Sequence, residues 1–411
     1  MRVLWFSVTP SMYEEKTYGG WVASLERIIR KYADGIQLGI AFEHPDLCFK
    51  AERDGVTYYP MNKAKSRMRR LRLKLNYAND WNFLRPLAHN VINDFKPDII
   101  HCFGSEWPFG LLAGEVDVPI VIHMQGFINI YSLSESMCCR NSDIYKYHHY
   151  NPAAIIHYWY RSLKSGCANR REQEIMRRNK YFMGRTEWDK NIVKYYSHDA
   201  RYYHCEEAIR PEILHSKLTW TFTPRKKMRI VTISSASSLK GNNIILRTAK
   251  LMKDFGFDFE WRVAGSTDTF KFFESITGLR HADLNIKLLG FINANEVVKE
   301  LSEADVYVHT AIIDNSPNSL CEAQLIGCPV VSTYIGGIPQ LVSHGHTGLL
   351  YPFNEPHTLA FTLMNIHGDR LLLESLSSNE HSVACKRHDE QTIMARLQEI
   401  YNDIIKSYKN E

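Results

Sequence analysis

Two carboxylates eight positions apart, Asp314 and Glu322, bracket the stretch DNSPNSLCE. Ser316 can accept from first-turn amides and Pro317 suits the first helical position, so a helix is expected to begin between the acids. Ser319 with Glu322 three residues on also fits a capping box. Gly327 is a good left-handed cap to end the helix, PVVSTY follows as a buried strand, and Gly336-Gly337 form a turn. A helix N-terminus offers unpaired N–H groups and partial positive charge, which suits a phosphate. Carboxylates repel phosphate, so these two acids are better placed to accept from hydroxyls on either side of one. A nucleotide-sugar has that pattern, with ribose hydroxyls on one side of its diphosphate and sugar hydroxyls on the other. The alternative is that Glu322 only caps its own helix while Asp314 sits on the surface.

Other residues at strand ends could serve the same ligand. Gly19-Gly20 precede a helix carrying Val22, Leu25, Ile28 and Tyr32, where glycines bring backbone amides up to a phosphate or sugar. They come about ten residues after the first strand, too late for a dinucleotide GxGxxG fingerprint, so NAD or FAD is not expected. His123 ends the strand PIVIHMQG, as a cleft-facing polar group or a satisfied core histidine. Arg185, after another apolar run, has a guanidinium suited to phosphate. Lys240-Gly241 follow VTISSASS and suit a diphosphate clamp, or a solvated lysine. Gly290-Phe291 end IKLLGF, where backbone groups could read a base edge. Cys138, Cys139, His148 and His149 fit no standard zinc spacing, so no metal site is expected.

The elements that must position these residues are legible as short apolar runs alternating with helical patterns. In the first half they are VLWFSV, IQLGIAF, VTYYP, PDIIHCF and PIVIHMQ; in the second, RIVTISS, FEWRVAG, IKLLGF, DVYVHT and PVVSTY. Such runs between helices predict parallel sheets covered on both faces. The 411 residues exceed one ordinary core, and two doubly wound α/β domains are the economical solution. Residues 127–190 form a long stretch rich in Tyr, Arg and His between the two sets. A last helix, with Ile393, Met394, Leu397, Ile400, Tyr401 and Ile404 in one stripe, must pack on something.

The bulk composition, 45% hydrophobic and 23% charged, is that of an ordinary globular protein. A net charge of +5 does not by itself imply nucleic acid, and none is expected as a partner. MRVLWFSVTP is too short an apolar run for a signal peptide and is expected as a first strand. No stretch approaches the roughly 18 apolar residues of a membrane span. Nine cysteines without a CxxC pair are expected as reduced cytosolic thiols.

Taken in order, the second-half motifs carry a family resemblance. They are Lys240-Gly241 after a strand, Ala264-Gly265, LGF, a strand followed by an acid, eight positions to Glu322, then EAxxxGxPVV, GGxxxxV and HTGLLYP. This order resembles the retaining glycosyltransferases of family 4 from about residue 228 to 385; the first half fits more loosely, through the Gly-Gly loop, His123 and Arg185. The resemblance implies a GT-B fold, two Rossmann-like domains facing across a cleft. It implies an acceptor-binding domain over 1–212, a nucleotide-sugar-binding domain over 213–385, and a helix over 386–411 crossing back to the N-terminal domain. It implies that Asp314 holds donor sugar hydroxyls and Glu322 ribose hydroxyls, with the first helical residues Asn318, Ser319 and Leu320 receiving the diphosphate. Lys240 would neutralise the departing nucleotide. His123 would support an oxocarbenium-like sugar in a front-face transfer with retention, the leaving phosphate helping to deprotonate the acceptor.

Three departures stand out: Asp314 is one methylene shorter than the usual Glu, Gln340 replaces a frequent Glu, and SSASS lacks the usual arginine ahead of Lys240. Arg185 is the candidate to compensate. The nearest approach to a DxD motif is Glu115-Val-Asp117, so neither metal nor cofactor is expected. On the acceptor side, Lys63 to Lys74 carry seven basic residues interleaved with Met68, Leu71 and Leu73. That pattern points to an anionic bilayer or a lipid-diphosphate acceptor, or to a solvated helix face. The expected function is therefore transfer of a sugar to a glycan or lipid-linked acceptor in cell-surface polysaccharide synthesis, in the cytoplasm or on the inner membrane face. The alternatives are a catalytically silent nucleotide-sugar-binding protein, an epimerase of the same architecture, and a membrane-surface scaffold.

Overall fold

The computed structural model describes residues 1–13, 20–44, 50–62, 77–266 and 268–410. Gly19 and the basic segment Lys63–Lys74 lie outside the described residues. The chain divides into two compact units, one of residues 1–130, 156–210 and 388–411, the other of residues 131–155 and 211–387.

The first unit holds an eight-stranded sheet in the order β3-β4-β2-β1-β5-β6-β7-β8. Its strands are β1 (Arg2–Ser7), β2 (Gln37–His44), β3 (Ala51–Arg53), β4 (Val56–Asn62), β5 (Ile99–Phe103), β6 (Ile120–His123), β7 (Tyr181–Gly184) and β8 (Arg201–His204). Every pairing is parallel except β3 with β4, an antiparallel hairpin closed at Asp54-Gly55, both at positive φ. One face of the sheet buries Leu4, Phe6, Ile100, Ile122 and Phe182 against the helices Tyr77–Phe95 and Pro152–Arg178. The other face buries Val3, Trp5, Ile40 and Phe103 against the helix Trp21–Tyr32 and the last helix, Glu390–Lys409. The apolar stripe from Ile393 to Ile404 thus packs on the N-terminal unit, as expected.

The second unit holds a six-stranded, all-parallel sheet in the order β11-β10-β9-β12-β13-β14. Its strands are β9 (Met228–Ser234), β10 (Phe259–Gly265), β11 (Ile286–Gly290), β12 (Val306–His309), β13 (Val330–Thr333) and β14 (Leu349–Tyr351). The strand order reverses at β9, with β10 on one side and β12 on the other. Open α/β sheets bind ligands beyond the carboxyl ends of the strands at such a reversal. Lys240 follows β9 and Asp314 follows β12, so the two lie beside that point. Among the described residues, no helix is long and apolar enough to cross a membrane.

Candidate functional site

The loops after β9 and β12 are laced together. Ile312 N donates to Leu239 O at 2.8 Å, and Thr310 Oγ1 donates to Lys240 O at 2.8 Å. Gly241 has φ +72°, and a Cβ there would lie 1.9 Å from Thr310 O. Only glycine lets the two backbones approach so closely. The contact delivers Lys240 Nζ to Asp314 Oδ2 at 2.5 Å, a half-buried ion pair. Asp314 Oδ1 accepts from Asn315 N at 3.1 Å. His309 Nε2 is 3.3 Å from the same Oδ2, near enough to act through charge but not aligned for a hydrogen bond. Burial alone would push the Asp314 carboxyl up, but the Lys240 charge and His309 outweigh it and hold it well below the usual carboxylate range. Burial also lowers the His309 imidazole, against the pull of Asp314.

On the far side of Asp314 the glycine pair closes in. Gly336 has φ +50°, and a Cβ there would lie 1.9 Å from Asp314 O. Gly337 N donates to the same oxygen at 3.1 Å.

The helix runs Asn318–Ile326 and ends at Gly327 in the left-handed conformation, as expected. Its start corrects the sequence reading. Pro317, not Ser316, occupies the N-cap position. Ser319 lies inside the first turn, where its hydroxyl accepts from Tyr307 OH at 2.9 Å, so the expected capping box with Glu322 does not form. Glu322 is buried in the body of the helix. Leu320 is also corrected: its side chain is fully buried and its N–H donates to Pro317 O at 3.0 Å. Asn318 and Ser319 remain at the helix start.

In the first unit, His123 ends β6 and is buried. Its Nδ1 lies 3.2 Å from His101 Nε2, and His101 Nδ1 lies 2.6 Å from Tyr401 OH. Trp5 Nε1 donates to that same hydroxyl at 3.2 Å. His123 Nε2 has no protein partner among the described residues. Its edge-to-face neighbour Trp21, 4.8 Å between centroids, offers a ring and no oxygen. A buried donor or acceptor left in this state costs about 1–3 kcal/mol, which a ligand would recover. Burial lowers the His101 imidazole to about 3 and, with the charge of Arg185 and neighbouring His101, puts His123 well below its ordinary value. Both rings are therefore neutral.

Gly20 precedes Trp21 with φ −67°, and a Cβ there would meet nothing within 4 Å. The protein itself does not require glycine at this position. Arg185, expected to suit a phosphate, has a buried guanidinium that is hydrogen-bonded to the carboxylate of Glu207 and lies 5.5 Å from the Trp21 ring centre.

Residues 221–383 match the family model described as "Glycosyl transferases group 1". The amylovoran biosynthesis glycosyltransferase AmsK of Erwinia amylovora is 28% identical over 167 residues, which is 39% of this chain and 40% of AmsK. The chain thus spans less than half the length of that relative. Among solved structures, sucrose-phosphate synthase from Thermosynechococcus elongatus superposes with a TM-score of 0.74 over 99% of both chains at 13% identity. HepE of Anabaena, solved in complex with UDP-glucose, gives 0.64 over 98% of this chain and 100% of that one at 16% identity. These likenesses establish the GT-B fold, two parallel-sheet α/β domains.

In the matched segment, Gly290 has φ +70° and Phe291 is 87% exposed, leaving an open ring and open backbone after β11. Among the described residues, no group of three or more His, Cys, Asp or Glu is arranged to hold a metal ion.

Three residues escaped the sequence reading. His309 lies on the strand DVYVHT, but only folding shows it against Asp314. Tyr401 reads as part of an apolar stripe and carries a buried hydroxyl. Glu106, after β5, has a carboxyl raised to about 7, chiefly by burial, and its Oε2 occupies the space that a side chain at Gly104 would need. A charged residue between apolar runs was the only signal for it.

Proposed function

We propose that this protein is a retaining glycosyltransferase. It moves a sugar from a nucleotide-diphosphate sugar to a glycan or lipid-linked acceptor, in the synthesis of a cell-surface polysaccharide. The observation that carries this reading is the Lys240–Asp314 pair beside a helix N-terminus at the strand-order reversal of the second sheet. Lys240 and the first turn at Asn318 and Ser319 supply positive charge for a diphosphate. Asp314 accepts from sugar hydroxyls, Glu322 from ribose hydroxyls, and Gly290-Phe291 meet the base. The UDP-glucose bound to HepE and the polysaccharide named for AmsK support donor class and pathway.

In the transfer, the bond from the anomeric carbon to the phosphate oxygen breaks and the acceptor oxygen bonds to the same face. The acceptor proton passes to the departing phosphate. Lys240 stabilises the charge on that phosphate in place of a metal, and neutral His123 supports the sugar. A cytoplasmic location with attachment to an anionic membrane through Lys63–Lys74 completes the proposal and rests on sequence alone.

The test is a thermal-shift screen of nucleoside diphosphates and their sugars, followed by transfer to candidate acceptors with NMR of the product anomer. A ligand at 100 times its dissociation constant adds about 2.7 kcal/mol of stability. Retained configuration is expected. Inversion, conversion of donor to an isomer without acceptor, or binding without turnover would each overturn the proposal.

A further inference from the structure

The buried chain Trp5–Tyr401–His101–His123 has a direction, and the direction fixes what His123 can do. Trp5 Nε1 can only donate, so the Tyr401 oxygen accepts from it. Among the described residues, the one remaining contact of that hydroxyl is His101 Nδ1 at 2.6 Å. If Tyr401 donates there, His101 Nδ1 is an acceptor. His101, being neutral, then carries its proton on Nε2 and donates to His123 Nδ1. His123, also neutral, must carry its own proton on Nε2, the atom without a protein partner among the described residues.

The reverse polarity would have His123 Nδ1 donate to His101 and His101 Nδ1 donate to Tyr401. The Tyr401 oxygen would then accept twice, and its own proton would be buried with no acceptor. Each polarity leaves His123 Nε2 unpaired, but only the reverse one orphans a second group. Buried donors without acceptors are rare because each carries a desolvation penalty. The forward polarity therefore prevails.

We infer that Trp5, Tyr401 and His101 act as positioning residues that lock His123 in the Nε2–H tautomer, making it a hydrogen-bond donor to an oxygen of the bound ligand. Its other nitrogen is committed to His101, so His123 is not the base that deprotonates the acceptor. That the oxygen belongs to the donor sugar rests on the proposed transfer; the polarity itself does not. The last helix, which carries Tyr401, thereby orients a side chain at the end of β6 as well as covering the sheet.

The tautomer is read directly, on the ligand-free protein, by long-range 1H–15N correlation of 15N-histidine-labelled material, with His123 assigned by its loss in His123→Asn. The expected wild-type pattern is protonated Nε2 and unprotonated Nδ1 at His123, with the same at His101. Tyr401→Phe removes the hydroxyl that sets the direction, and His123 should shift to a mixture of tautomers. Trp5→Phe frees the Tyr401 oxygen to accept from His101 and should do the same; should either variant not fold, the other carries the test. In the transfer assay, Tyr401→Phe should lower kcat by less than the roughly 10²-fold expected for loss of one preorganised donor, with affinity for the bare nucleoside diphosphate unchanged. A wild-type His123 protonated on Nδ1, or an unaltered single tautomer in both variants, would overturn the lock. Neither result depends on whether the protein transfers sugar.

Discussion

Asp314→Asn should strengthen binding of a bare nucleoside diphosphate while damaging transfer, an opposition of signs that few other arrangements would give. In the ligand-free protein Lys240 Nζ is held by Asp314 Oδ2 at 2.5 Å, with side-chain exposures of 25% and 12%. A diphosphate that recruits Lys240 must first draw it away from Asp314. Exposed pairs are worth at most about 1 kcal/mol and charged hydrogen bonds about 1.5–3 kcal/mol. A half-buried pair in which the lysine can swing toward solvent sits near the lower figure. Removing a competitor worth about 1 kcal/mol tightens binding about fivefold, since 1.4 kcal/mol is tenfold. Transfer should fall by about 10²-fold, because the amide replaces a carboxylate meant for sugar hydroxyls. Calorimetric titration of wild type, Asp314→Asn, Lys240→Ala and the double variant measures the coupling. Lys240→Ala should weaken binding by about 1.5–3 kcal/mol, and the gain from Asp314→Asn should vanish in that background. Weaker nucleoside diphosphate binding by Asp314→Asn, or an undiminished transfer rate, would refute the reasoning.

Other outcomes follow from the same geometry. Glu322→Gln should lower affinity for the bare nucleotide, because ribose hydroxyls lose a charge-assisted acceptor; titration would show no change if Glu322 is only packing. Donor binding and transfer should survive excess chelator, and loss of both, restored by magnesium or manganese, would contradict the metal-free transfer. His101 and His123 titrate lower in the folded chain than the unfolded value near 6.5, so the unfolded state takes up protons first as pH falls. Each should cost stability by about 1.4 kcal/mol per pH unit below that value; denaturation at pH 7, 6 and 5 should show a shallower slope for His101→Leu. Asp314 has the opposite linkage: its depressed folded pKa makes its contribution complete above the unfolded value near 3.9. That contribution is lost as pH falls below it, so the stability gap to Asp314→Asn should close in acid.

Ten strands were legible because buried parallel strands are continuous apolar runs, and their ends located Lys240, Asp314 and His123. Of the four described strands not singled out, β7 and β14 are apolar but only four and three residues long. β3 is three residues long, and β8 buries none of its side chains fully, so neither shows an apolar run. The helix start slipped because Ser316 has the chemistry of a cap, while the chain turns into the helix only at Pro317. The ion pair of Arg185 was not legible because its partner, Glu207, lies 22 residues on in a stretch with no period. His101 and Tyr401 are separated by 300 positions, and spacing carries no information at that range. Local motifs told where Lys240 and Asp314 lie along the chain; the histidine chain exists only once the last helix has docked.

The two glycines that grip residues 310–314 have a consequence for how this site can diverge. Gly241 abuts the carbonyl of Thr310, and Gly336 that of Asp314. Any side chain at either must displace the backbone that carries the acid, while the side chain at 314 itself meets Lys240, His309 and the Asn315 N–H. Drift is thus channelled: the identity of the acid can change by a methylene, as here, without moving its anchor. Single substitutions at 314 can change the acid while its backbone stays in place, whereas substitutions at 241 or 336 must move that backbone.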